Sequence, residues 1–115
     1  MSSLNSLERA VLERILRDTP GDLAPILRAQ IDGATVVGRK NTGAGFFTEL
    51  KVESAVGRMS ERVIEDVWAD IEGFDVPMTF LVFLREGIIR TLEGAAINED
   101  ATDVDFSRVG FAIKE

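Results

Sequence analysis

Residues 78–94, MTFLVFLREGIIRTLEG, limit the fold more than any other stretch: an apolar run, a two-residue Glu86-Gly87 break, then a second apolar run. Two such runs joined by two turn-forming residues predict a β-hairpin. Half-buried strands alternate apolar and polar residues, whereas Phe80, Leu81, Val82, Phe83 and Leu84 send apolar side chains in both directions. The hairpin is therefore predicted at the centre of a sheet, with a covering layer on each face.

The chain upstream supplies one such layer. Asn5 stands three residues before Glu8, the spacing of a helix cap, and Leu7, Val11, Leu12 and Ile15 follow on one helical stripe, predicting a helix over about 6–18. Asp18-Thr19-Pro20-Gly21 ends it. Asp22 is the expected cap of a second short helix, with Pro25 in its first turn and Leu23, Ile26, Leu27 and Ile31 on its buried side.

Strand patterns follow. Val36 and Val37 favour a strand over 34–40, Asn41-Thr42-Gly43-Ala44-Gly45 forms a turn, and 46–53 alternates, with Phe46, Thr48, Leu50 and Val52 on one side and Phe47, Glu49, Lys51 and Glu53 on the other. Residues 54–61 read as a polar, mobile connector. Over 62–72, Val63, Val67, Ala69 and Ile71 fall on one side and Ile64, Asp66, Trp68, Asp70 and Glu72 on the other. After the central hairpin comes an acidic loop over 98–105, and Phe111-Ala112-Ile113 is predicted as a last strand. The expectation is a single α+β domain over 1–115, with one or two N-terminal helices (about 6–31) packed on a mainly antiparallel five- to six-stranded sheet (about 34–115) in near-sequential strand order.

Composition removes several kinds of chemistry. The sequence has no histidine, cysteine or tyrosine, which excludes serine-histidine and cysteine-histidine catalysis, histidine- or thiolate-bound metals and disulfides. The net charge of −7, without a basic cluster, argues against nucleic acid. No apolar run approaches the roughly 18–20 residues of a membrane span, and the first residues lack the basic start of a secretory signal; a cytoplasmic protein off the membrane is expected. Residues 43–48 hold two glycines of a dinucleotide fingerprint, but a third is missing and the segment leads into a strand, which favours a plain turn. The acidic loop offers Asn98, Asp100, Asp103 and Asp105 as oxygen ligands yet lacks the glycine and closing glutamate of a calcium loop. No cofactor and no metal are expected.

What remains is a surface. With strands pairing in order, the face away from the helices collects Phe47, Trp68, part of 80–84 and Ile89, edged by Glu49, Asp66, Asp70 and Glu93. An apolar centre with a charged rim has the anatomy of an interface or a ligand groove. Three occupants are open: the chain's own loops and tail, a second copy in a homodimer, or a small molecule. Charge is also uneven, residues 1–62 carrying 9 basic and 8 acidic side chains and residues 63–115 carrying 4 and 12. That asymmetry suits a basic protein partner. The favoured function is a non-enzymatic protein-interaction module, expected as a homodimer, whose sheet face and acidic C-terminal half recognise a partner, an immunity or antitoxin-like role against a basic toxin being one concrete version. The alternative is a small-ligand protein or an enzyme pairing Asp66, Asp70 and Glu93 as acid and base on the same face.

Thr42-Gly43-Ala44-Gly45-Phe46-Phe47-Thr48, with DVWADIEG at 66–73, FLVFLREG at 80–87 and TLEG at 91–94, resembles a group of small bacterial proteins without an established activity. In that group an aromatic residue and often a Trp-Pro pair follow the Leu-Glu-Gly; here Ala95-Ala96 follow Gly94. The resemblance implies the fold and a bacterial origin, and no catalytic residue.

Overall fold

The computed structural model describes residues 2–53, 57–60 and 63–115. Among the described residues, two helices pack on one face of a six-stranded antiparallel sheet, an α+β architecture. Helix α1, Ser6–Arg17, starts in a reciprocal cap: the Glu8 N–H donates to Asn5 Oδ1 at 2.9 Å and the Asn5 N–H to Glu8 Oε1 at 2.8 Å. Its stripe of Leu7, Val11, Leu12 and Ile15 is buried. Helix α2, Ala24–Asp32, carries Pro25 in its first turn as expected, but Asp22 does not cap it. Leu23, which has no side-chain acceptor, holds the cap position, and the Pro20 carbonyl accepts the N–H groups of Leu23 and Ala24, both at 3.0 Å.

The strands are β1 Ala34–Asn41, β2 Gly45–Val52, β3 Val63–Ile71, β4 Met78–Arg85, β5 Ile88–Ala95 and β6 Phe111–Ile113, in the order β1-β2-β5-β4-β3-β6. The β4-β5 hairpin lies at the centre. Its turn residues Glu86 and Gly87 have φ of 53° and 79°, the sign that a two-residue hairpin turn of type I′ needs at both positions. Near-sequential order does not hold, because β2 pairs with β5 instead of β3. Phe46, Phe47 and Thr48 face Gly94, Glu93 and Leu92, so the two signature stretches of the sequence are cross-strand partners.

The link from β2 to β3 therefore passes the hairpin turn. Residues 54–56 and 61 of the expected connector lie outside the described residues. The described part is less polar in role than its sequence suggests: Met59 is buried and its N–H donates to the Gly87 carbonyl at 2.8 Å. Gln30, fully buried on α2, secures the junction. Its Nε2 donates to the carbonyls of Gly57 and Gly87, both at 2.9 Å, and its Oε1 accepts the Ile89 N–H at 3.0 Å.

The core lies between the helices and one sheet face, where Phe80, Leu50, Met78, Val82, Ile89 and Leu92 meet Leu7, Leu12, Leu27 and Ile31. The expected second covering layer is absent among the described residues. Along β4, Met78, Phe80 and Val82 are buried while Phe83 keeps 40% of its surface exposed. The C-terminal segment packs on the core side instead: Phe106 meets Phe46 with ring centres 4.7 Å apart, and the Ala101 N–H donates to the Gly43 carbonyl at 2.9 Å. No helix among the described residues is long and apolar enough to cross a membrane.

Candidate functional site: an open sheet face

Strand register assigns the uncovered face residue by residue. One row runs Lys40 on β1, Phe47 on β2, Glu93 on β5 and Leu81 on β4; the next runs Gly38, Glu49, Thr91, Phe83 and Val63. On the other side of the first row, Ala95, Thr79 and Trp68 stand opposite one another, with Asp70 beyond them across from Ala112. Val63, Trp68 and Phe83 expose 40%, 42% and 40% of their surface. Such a grouping of large apolar side chains on one sheet face is what an interface offers.

Five of the six residues selected from sequence, Phe47, Glu49, Trp68, Asp70 and Glu93, stand on this face. Asp66 does not join them. A β-bulge interrupts the register between Ile64 and Val67, and Asp66 takes a left-handed φ of 81° there, lining a cleft with Ile15, Asp18, Thr19 and Pro20 of the helical side. The same bulge turns Ile64 toward the core and leaves Val63, assigned by strict alternation to the core side, outside opposite Phe83. Ile89 is also corrected: an irregularity between Phe83 and Leu84 places it across from Leu84, and it is buried among the core residues. A β-bulge adds one residue to a period of two, and alternation read along sequence carries the wrong phase past it.

The three face carboxylates have different surroundings. Glu49 accepts the Thr91 hydroxyl, with its oxygens at 3.3 and 3.2 Å. Asp70 faces Lys114, with Oδ2 3.6 Å from Nζ. Glu93, half-buried between Phe47 and Leu81, has no hydrogen-bond or ion-pair partner among the described residues. Asp70 and Glu93 lie two strands apart and Asp66 faces another region, so the acid-base pairing considered from sequence is not assembled here.

A second polar constellation went unread in the sequence. Glu8, fully buried on α1, accepts Arg39 Nε on Oε2 at 2.9 Å, Arg39 Nη2 on Oε1 at 2.8 Å and the Thr48 hydroxyl on Oε2 at 2.5 Å. Burial alone pushes its pKa up, but the bonds from Arg39, Thr48 and Asn5 outweigh burial and hold it below the ordinary 4.5. The same contact raises the pKa of Arg39. This pair borders a cleft of about 270 Å³ floored by Phe46 and Phe106. The available signals were the Glu8 of the capping box and a threonine at the core position of β2; the arginine that completes the set was invisible, because a bulge between Val36 and Gly38 sets its direction.

The glycine-rich turn has a structural occupation. Asn41 Oδ1 accepts the Gly43 N–H at 2.7 Å, and Asn41 Nδ2 donates to the carbonyls of Ala101 and Val104 at 2.8 and 3.2 Å, docking the acidic loop. In that loop Asp100 Oδ1 is engaged by the Thr102 N–H and hydroxyl, and Asp105 Oδ1 by those of Ser107. These bonds lower both aspartate pKa values. Set against protein-family models, curated proteins and solved structures, the chain matches none of them.

Proposed function

We propose that the chain is a cytoplasmic protein-interaction module that docks a protein surface on its open sheet face. The observation that carries this reading is the grouping of Val63, Trp68 and Phe83, exposed on the side away from the helices, beside Phe47 and Leu81. An uncovered apolar centre rimmed by Glu49, Asp70, Lys40 and Lys51 suits another macromolecule better than a small ligand, which needs a concave site. The cleft near Asp66 takes no wall from this patch and the cleft near Arg39 only the rim residue Lys40, which disfavours the small-ligand reading of the face. A basic toxin held by an immunity or antitoxin protein is one form such a pair takes, in keeping with the net charge of −7.

The test is selection of peptides from a random display library against the wild-type chain, followed by binding of the selected peptides to Phe83→Ser and to Arg9→Ser, an exposed site on helix α1 across the sheet from the patch. Binding lost in Phe83→Ser and kept in Arg9→Ser is the expected result. Peptides indifferent to Phe83→Ser overturn the reading.

A further inference from the structure

Resting on that reading of the open face, we infer that the docked partner is a basic protein segment that seats an arginine on Glu93 among apolar residues. Glu93 sits on a central strand, directly opposite Phe47 on one side and Leu81 on the other. Opposed side chains in antiparallel strands have Cβ atoms roughly 5 Å apart, so an aromatic ring and an aliphatic side chain bracket the carboxylate. Glu49 and Asp70 have their own contacts in Thr91 and Lys114, while Glu93 has none among the described residues. Lys40 is in the same row but beyond Phe47, about 10 Å away at two strand spacings.

An occupant that covers Phe47, Leu81 and Phe83 also covers Glu93. A purely apolar occupant strips water from that carboxylate and returns no hydrogen bond, which opposes docking. A second copy brings a further −7 and another Glu93, and the cations its own face offers, Lys40 and Lys51, lack the guanidinium fork. A guanidinium meets both demands at once: it donates two parallel hydrogen bonds to a carboxylate, and its flat face packs on an aromatic ring such as Phe47. Lysine supplies the charge without the fork or the stacking plane.

The experiment takes the display-selected peptides whose binding is lost in Phe83→Ser and measures each, as a synthetic peptide, on the wild-type chain and on Glu93→Gln, with circular dichroism to show that the variant folds. The expected result is an arginine in these peptides and a loss of about tenfold or more in affinity on Glu93→Gln, the scale of a hydrogen bond to a charged group; replacing that arginine by citrulline gives a matching loss. Face-directed peptides without a basic residue, or with affinity unchanged on Glu93→Gln, overturn the arginine seat and leave the docking reading standing. A wild-type dimer that Phe83→Ser dissociates has the same effect, since a second copy then fills the face. If no selected peptide depends on Phe83, both fail.

Discussion

Arg39 clasps Glu8 with two parallel hydrogen bonds, Nε to Oε2 at 2.9 Å and Nη2 to Oε1 at 2.8 Å, and so ties strand β1 at the sheet edge to the first turn of α1. The partners are unequally buried, Glu8 fully and the Arg39 side chain with 37% exposed. Removing the arginine leaves a buried carboxylate with only Thr48 and Asn5; removing the charge of Glu8 leaves a cation that still reaches water. Arg39→Ala is expected to cost about 3 kcal/mol and Glu8→Gln about 1–2 kcal/mol. Urea unfolding of the two variants checks the order. A smaller loss in Arg39→Ala than in Glu8→Gln contradicts the account of which partner depends on the other.

The same pair gives the fold an acid dependence. The pKa of Glu8 is depressed in the folded chain below its ordinary value of 4.5, so its contribution is full above that value and is lost as pH falls through the folded pKa. Glu8→Gln cannot titrate there. The stability gap between wild type and Glu8→Gln should be constant near neutral pH and shrink as pH drops below 4.5. Subtracting the variant cancels Asp100 and Asp105, which shift in the same direction. A gap that widens in acid rules the assignment out.

Gly94 lies under the aromatic centre of the core. A methyl group there would meet Phe46 at 2.7 Å, Phe80 at 2.8 Å and Met78 at 3.1 Å, and one at Gly45 would meet the Gly94 carbonyl oxygen at 2.0 Å with φ already at 145°. Gly94→Ala is expected to cost about 1–3 kcal/mol, since rings can yield a little. Gly45→Ala should cost more, because backbone blocks backbone. Gly21→Ala, with open space around it, serves as the control. Thermal unfolding of all three gives the ranking, and equal behaviour at Gly94 and Gly21 would show that the close approach is absent.

Gln30 is the polar link of α2 to the hairpin turn. Gln30→Leu keeps the size and abandons the Gly57 carbonyl and the Ile89 N–H, while the Gly87 carbonyl keeps the Met59 N–H, at a cost of about 2–4 kcal/mol. Hydrogen exchange gives a local readout: the Ile89 amide should lose protection relative to the Leu92 amide, whose strand pairing does not involve Gln30. Proportional loss at both sites would mean a global effect and no link at the turn.

How far the sequence speaks follows the same physical division. Period and punctuation are local, so the Asn5 to Glu8 cap, the α1 stripe, the Glu86-Gly87 turn and the last strand at 111–113 are legible in order along the chain. Pairing is not local. That Phe46 lies across from Gly94 depends on a ring fitting where no Cβ stands, a fact shared by two stretches nearly 50 residues apart. The bulge at Asp66 hides in an otherwise regular alternation, and it moves Asp66 off the candidate face and Val63 onto it. Thr48 reads as an ordinary strand residue until Glu8 is known to lie above it.

Phe80 and Phe83 sit three residues apart on one strand, look alike in sequence, and should respond unequally to truncation. Phe80 is fully buried beside Met78 and Gly94, whereas Phe83 is 40% exposed across from Thr91 and Val63. Phe80→Ala is expected to cost about 3–5 kcal/mol, enough to unfold many domains of this size. Phe83→Ser should cost about 1–2 kcal/mol, less than Phe80→Ala, because only part of the Phe83 ring is removed from water. Trp68, the one tryptophan of the chain and 42% exposed on the same face, supplies an independent optical check: acrylamide should quench its emission readily in the free chain. Addition of a peptide that requires Phe83 should then protect it. Strong destabilisation by Phe83→Ser together with an unquenchable Trp68 would mean that something covers this face in the isolated chain, and the open sheet could not be the docking surface.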